Sequence, residues 1–430
     1  MKTVEKTIGV MDPNAFAFRE SVEKLIESLA PSIEYNGVVN KVSTRRIKCR
    51  PYDVLNAKTT CHAIINRGAH WNPHHNSFFQ RVSHQTYLLN DMGSFFAINK
   101  NTSYGHMSEL GLKIPNTFAL PQEDNTELEN STKVSPDLIF PEYEMFNLEE
   151  IGEAVGYPAF LKPQDGGGWV GVEKVDNYEE LLVAYKKSGE KPQNLQKAVD
   201  NYKEFIRCVG MGPDVIPMHY NAASEFSHDR YFRSDDEIVD PNFLDKDSAK
   251  EVKQICKVIN AFYGWDHNSC ETLMTENGDI HPIDFANAYP DSSLVSLHYY
   301  FPDLVKNCVK WMLFVVCSER KKKIFGHDWD AYYKLKAKAD KENWTYKKLL
   351  DGYEKLADKH YATKDFNKFV KNNLGKDFDK KCHEFFASEE FGGILAHEVE
   401  RYFKIPAERP AKIQKYKEIH QIWLDDNKVG

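Results

Sequence analysis

Residues 157–175 run Tyr157-Pro158-Ala159-Phe160-Leu161-Lys162-Pro163-Gln164-Asp165-Gly166-Gly167-Gly168-Trp169-Val170-Gly171-Val172-Glu173-Lys174-Val175. The pattern predicts a strand over 157–162, a loop over 163–168 and a second strand over 169–175. Gly166, Gly168 and Gly171 fit the dinucleotide spacing G-x-G-x-x-G, but that fold needs a helix to begin at the motif and face a pyrophosphate. Here Val172 to Val175 alternates as a strand, and a capping-box-like start, Asp176 followed by Glu179, opens a helix only afterwards. No Gly-Lys-Ser/Thr follows the glycines, so a P-loop is excluded as well. A glycine hairpin remains, either a plain connection or a flap whose backbone N–H groups meet phosphate. Lys162 ends an apolar strand just before the loop. There it can meet phosphate as a point charge, which favours the flap over a surface lysine on a strand end.

The second informative stretch is Cys270-Glu271-Thr272-Leu273-Met274-Thr275-Glu276-Asn277-Gly278-Asp279-Ile280-His281-Pro282-Ile283-Asp284. Asn277-Gly278 predicts a two-residue hairpin turn. In that register Glu276 faces Asp279 and Glu271 faces Asp284. Opposed residues on one sheet face have Cβ atoms about 4.5–5.5 Å apart, where two like charges are destabilising unless compensated. Magnesium, which favours carboxylate oxygens together with phosphate, is the compensation this pair suggests. The bland alternative is a solvated or singly protonated pair, and the apolar neighbours Leu273, Ile283 and Phe285 argue against full solvation. Pro282 cannot donate to a ladder, which suggests an edge or a bulge.

The rest of the chain frames these two stretches. Helical periodicity marks 16–29, 148–155, 178–187 and 248–263, and a helix over 101–111 is capped by Thr102 or Ser103 and stopped by Gly111. Residues 61–68 predict a buried strand leading into a loop, 68–76, with His70, His74 and His75. No carboxylate at ligand spacing stands nearby, so these are expected to be satisfied loop histidines. Strands are expected over 112–120, 195–199 and 205–209, and a polar exposed loop over 122–136. From about Phe301 the chain is mostly helical. The organisation is an N-terminal α/β region (1–90), a central α/β region (91–305, with a flap subdomain about 157–198) and an α-helical C-terminal region (306–430).

The 430 residues are 41% hydrophobic and 28% charged with a net charge of −8, ordinary for a globular protein and contrary to a basic nucleic-acid binder. Eight scattered cysteines without a CxxC pair suggest neither a disulfide framework nor a zinc site. The N-terminus lacks the apolar stretch of a signal peptide, and the longest apolar run, Trp311 to Cys317, is far short of the ~20 residues that cross a bilayer. A cytoplasmic protein without a membrane partner is expected.

Taken together these elements resemble the ATP-grasp superfamily over about Asp91 to Pro302. Ala97-Ile98-Asn99-Lys100, a helix, then Gly111-Leu112-Lys113-Ile114-Pro115-Asn116-Thr117 look like the entry to its first ATP-binding lobe. Phe160 to Pro163 plus the glycines look like its second lysine and flap. The resemblance implies an ATP-grasp fold and ATP with Mg²⁺ (or Mn²⁺) as cofactors. Lys100 and Lys162 would meet phosphate, with Gly166, Gly167 and Gly168 closing over it. Gln196, Lys197 and Val199 would form the adenine hinge, although the family commonly has Glu where Gln196 stands. Glu204 falls at the ribose-binding acid, and Glu271, Asp284 and Asn287 at the metal ligands. Asn287 departs from the family spacing: it lies three residues after Asp284, not two, so the strand must break near Ala286 for both to ligate.

The activity implied is ATP-dependent carbon–nitrogen ligation, in which a carboxylate becomes an acyl phosphate that an amine attacks, releasing ADP and phosphate. Amino-acid or peptide-like substrates are expected. Cations and water exclusion would stabilise and protect the intermediate. Arg230 and Arg233, in the polar loop 227–236, are the arginines expected at the acyl phosphate, with Arg207 a third candidate. A small-molecule kinase, or a non-catalytic nucleotide-binding assembly protein using the aromatic C-terminal helices, are the alternative functions. A homodimer is compatible with the sequence.

Overall fold

The computed structural model describes every residue except 70–71, 94–98, 125–145, 167–168, 225, 233–238, 288, 322–327 and 430. The chain divides into two compact units: Met1–Phe95 with Ile206–Ser269 and Ala288–Gly430, and Phe96–Phe205 with Cys270–Asn287. The expected central region, 91–305, is therefore shared between both.

The first unit opens with a five-stranded sheet of β1 (Lys2–Met11), β2 (Ser32–Tyr35), β3 (Val38–Arg46), β4 (Ala63–Asn66) and β5 (Tyr87–Leu89), in the order β2-β3-β1-β4-β5. β1 is parallel to β3 and to β4. Ile8, Val10 and all of β4 are buried, as a central parallel strand requires. Phe16–Leu29 is helical and buries Phe18, Val22, Leu25, Ile26 and Leu29, an apolar face at helical spacing. The loop expected over 68–76 is cut short by a helix, Pro73–Val82. Asn72 Oδ1 accepts from the His74 and His75 N–H groups, and Pro73 occupies the first turn, where it gives up no hydrogen bond.

The C-terminal part of this unit is helical, as expected, with long segments Phe301–Cys317, Tyr346–Tyr361 and Arg409–Asp426 among them. Two of its tryptophans serve packing: Trp311 is fully buried, and Trp329 stacks on Phe262 with ring centroids 5.0 Å apart. All eight cysteines are free thiols, and only Cys49 is exposed. Among the described residues no helix is long and apolar enough to cross a membrane.

The second unit is built on a four-stranded sheet in the order β6-β9-β7-β8, from β6 (Thr117–Leu120), β7 (Ala159–Pro163), β8 (Glu173–Val175) and β9 (Gln193–Lys197). Every pairing is antiparallel. Alternation gives the sheet two faces. Ala159, Leu161 and Leu195 point to a core with Leu148 and Val155 of helix Leu148–Val155 and Leu181 and Ala184 of helix Tyr178–Ser188. Phe160, Lys162, Asn194 and Gln196 share the other face. Leu195 is fully buried on the central strand, so Leu195→Ala is expected to cost about 2–5 kcal/mol in urea unfolding followed by circular dichroism.

Two local expectations shift by a residue or more. The far strand of the glycine hairpin is only Glu173–Val175, because residues 169–171 turn, with Trp169 at φ +67° and Gly171 at φ +75°. The helix after it is capped by Asn177: its side chain accepts from Glu180 N–H, while Glu180 Oε2 accepts from Asp176 N–H.

β10 (Tyr202–Met211) and β11 (Asp214–His219) pair antiparallel through Ile206 to Met211. β12 (His267–Thr275) and β13 (Ile280–Asn287) form the expected hairpin with a different turn. Gly278 N–H donates to Thr275 O and Thr275 N–H to Asp279 O, both at 2.9 Å, with Gly278 at φ +89°. The loop thus has three residues, ending in a left-handed glycine, and Thr275 stands opposite Asp279 where Glu276 was expected. Lys113 Nζ, at 2.5 Å, and Asn277 Nδ2, at 3.0 Å, both donate to the Asp279 carboxylate and hold it at the turn.

Candidate active site of the second unit

Lys100 begins the helix Lys100–Glu109, where Asn99, not Thr102 or Ser103, is the cap: its side chain accepts from Thr102 N–H. That start fixes Lys100 at a helix N-terminus. Its backbone N–H donates to Gln164 O at 3.2 Å, and its Nζ donates to Gly166 O and meets Asp284 Oδ2, each at 3.1 Å. The loop carrying the glycines is thereby tied to Lys100. Gly166 adopts φ +121°, a conformation that L side chains avoid. A Cβ at Gly171 would stand 3.0 Å from Pro163 Cγ. Gly167 and Gly168 lie outside the described residues.

Lys162 is 7% exposed. Its Nζ donates to Gln196 Oε1 at 2.8 Å and to Ile283 O at 3.3 Å. Burial pulls its pKa down from 10.5 to about 8; Asp284 and Glu271 oppose the drop, and Lys100 adds to it. Both carboxylates therefore act on the same ammonium group. Tyr104, from the Lys100 helix, donates to Ile283 O at 2.6 Å. Its hydroxyl is pushed well above its usual range, first by burial and then by Asp284 and Glu271. Lys100, Lys162, Glu271 and Asp284 thus form one mixed-charge cluster, and Tyr104 and the Ile283 carbonyl are members that sequence reasoning missed.

Asn287 ends β13 and is half-buried like Asp284, while Phe285 and Ala286 between them are both buried, so burial does not alternate strictly along this part of the strand. Among the described residues no group of three or more His, Cys, Asp or Glu is arranged to hold a metal ion. Glu271 and Asp284 are a pair, each half-buried.

At the hinge, both ends of the Gln196 amide are engaged: Oε1 by Lys162 and Nε2 by Thr117 Oγ1 at 2.9 Å. Lys197 N–H donates to Asn116 O and Ala198 N–H to Pro158 O. Lys197 Nζ donates to Tyr157 O at 2.6 Å. Val199, half-buried, follows them, and Glu204 lies half-buried in β10.

Arg230 belongs to the first unit, where it donates to Tyr220 Oη at 3.3 Å and Arg207 donates to the same oxygen at 3.4 Å. Arg233 lies outside the described residues, as does His70. His74 Nε2 is 2.9 Å from Arg50 O, and burial lowers the pKa of His75.

No protein-family model matches the chain. Its sequence is 27% identical over 126 residues to the D-alanine–D-alanine ligase of Prochlorococcus marinus strain MIT 9301, covering 27% of this chain and 35% of that protein. It is 27% identical over 113 residues to the D-alanine–D-alanine ligase of Burkholderia pseudomallei strain 668, covering 25% of this chain and 36% of that protein. The chain thus spans about a third of the length of these relatives. Among solved structures, an ATP-grasp RimK domain protein from Sphaerobacter thermophilus superimposes with a TM-score of 0.47 at 12% identity, covering 71% of this chain and 99% of that one.

Proposed function

We propose that this chain, a member of the ATP-grasp superfamily, is an ADP-forming ligase that activates a carboxylate as an acyl phosphate and joins it to an amine. The observation that carries the reading is the convergence of Lys100 and Lys162, both buried, on Asp284, with Glu271 acting on the same lysine. Two cations beside two carboxylates suit a site that holds triphosphate and a divalent ion. The donor set fits Mg²⁺ through Glu271 and Asp284, with phosphate oxygens completing the shell. When bound, the ion supplies charge neutralisation to the transferring phosphoryl group.

Lys100 and Lys162 would hold the phosphates, and the loop around Gly166 would cover them and keep water from the acyl phosphate. Val199 N–H, which has no partner among the described residues, is the hinge donor left for the base. Glu204 would take the ribose hydroxyls. Amino-acid-like substrates are the class favoured, because the relatives in sequence are D-alanine–D-alanine ligases. Arg230 and Arg233 are retained as candidates for the acyl phosphate.

The test is an assay of ADP and phosphate release across a matrix of amino acids and short carboxylates with Mg²⁺ and ATP. Release is expected only with a carboxylate and an amine together, and mass spectrometry is expected to show the condensed product. A stable phosphorylated product formed without an amine would make the protein a kinase. ATP binding with no ADP release over the whole matrix would leave a nucleotide-binding assembly protein.

A further inference from the structure

Asn194 lies on β9 in register with Lys162 of β7 and Ala119 of β6. It is two residues before Gln196 and so shares its face, about 6.6 Å along the strand. The side chain is fully buried, and neither Oδ1 nor Nδ2 has a hydrogen-bond partner among the described residues. A buried carboxamide normally has partners at both ends, and one that does not calls for a specific explanation. Its neighbour supplies the contrast. Gln196, at the position expected to meet the adenine amino group, has both amide ends occupied by Lys162 and Thr117.

The chemistry selects the ligand group. A carboxamide offers one acceptor and two donors side by side. Phosphate accepts only, so it would leave Oδ1 facing an anion. The N6/N7 edge of adenine presents a donor beside an acceptor, complementary to the carboxamide, whereas guanine presents two acceptors there. We infer that Asn194 takes over the base-reading role that Gln196 has lost, pairing with the N6/N7 edge and making the site selective for adenine over guanine nucleotides. This rests on the reading of the second unit as an ATP site. Asn194 is a binding and specificity residue and carries no chemical step.

The experiment measures ATP and GTP dissociation constants, by calorimetry with Mg²⁺, for the full chain and for Asn194→Leu, which keeps the volume and removes the amide. Wild type is expected to prefer ATP. The leucine variant is expected to lose roughly 10- to 100-fold in ATP affinity with little change for GTP, so that the preference collapses. Asn194→Ala gives the same comparison should leucine fail to fold, as judged by melting temperature. An unchanged ATP affinity, or an equal loss for ATP and GTP, overturns the inference. If wild type binds neither nucleotide, the ATP-site reading itself falls and takes this inference with it; a wild type that binds both equally overturns the inference alone.

Discussion

Asp284→Asn is expected to lower ADP release by about 10²–10³-fold, the scale seen when one preorganised electrostatic contact is removed from a phosphoryl- or acyl-transfer site. The reason is charge. Asp284 meets Lys100 Nζ at 3.1 Å and is one of two carboxylates acting on Lys162. Asparagine keeps the shape and still accepts from Lys100, so the fold is expected to persist with a melting temperature within a few degrees of wild type. Asp284→Ala goes further and removes the ion-pair partner of a lysine that is 6% exposed. Because Asp284 itself is 30% exposed, the stability loss is expected near 1–3 kcal/mol, below that of a fully buried pair. Turnover of Asp284→Asn within ten-fold of wild type would remove Asp284 from the site. Glu271→Gln is expected to behave alike, since Glu271 acts on the same lysine.

Lys162→Met is expected to weaken ATP binding about 100-fold while changing how stability depends on pH. In the folded protein the Lys162 ammonium has a pKa of about 8 against an ordinary 10.5. Between those values the unfolded chain holds a proton that the folded protein lacks, so wild-type stability rises with pH through that window. Below about pH 8 the burial cost is present in full, and above about 10.5 it is gone. Methionine carries no such proton. The stability of wild type relative to Lys162→Met is therefore expected to improve by about 3 kcal/mol between pH 7 and pH 10.5. At pH 7 the variant also leaves Gln196 Oε1 without its donor, at about 1–3 kcal/mol, which offsets part of its gain there, while Ile283 O keeps the Tyr104 hydroxyl. ATP affinity of wild type is expected to fall as pH rises above 8, because the neutral amine no longer attracts phosphate, and the methionine variant should show no such decline. Urea titrations and ATP dissociation constants over pH 7–10.5 check both statements. A wild-type profile parallel to the variant's would mean that Lys162 keeps an ordinary pKa.

The two stretches that organise the reading were legible for different reasons. The glycine hairpin follows from local facts: an apolar strand ending in Lys162, three glycines, and alternation after Gly171. The structure has that strand–loop–strand order, with a shorter second strand because Trp169 to Gly171 turn. The carboxylate hairpin was legible as a hairpin but not in its register. Asn277-Gly278 suits a two-residue turn, yet Asp279 is held by Lys113 and Asn277, and the loop takes a third residue. The N-terminal sheet was the least legible part, because β1 pairs with β3 and β4 from across the region and only packing decides that order.

The sequence by itself determined the α/β class, the glycine loop with Lys162 before it, the helical C-terminal region and the identity of the charged residues, because alternation, helical periodicity and turn chemistry act over a few residues. Only the tertiary structure decided which of those residues meet. It brought Lys100 to Asp284 and Gly166, set Lys162 under the influence of both carboxylates, engaged Gln196 at both ends and left Asn194 buried beside it without a partner among the described residues. It also placed Arg230 in the first unit. Such meetings depend on which strand lies beside which, and a one-residue change in a turn alters them without changing any local pattern.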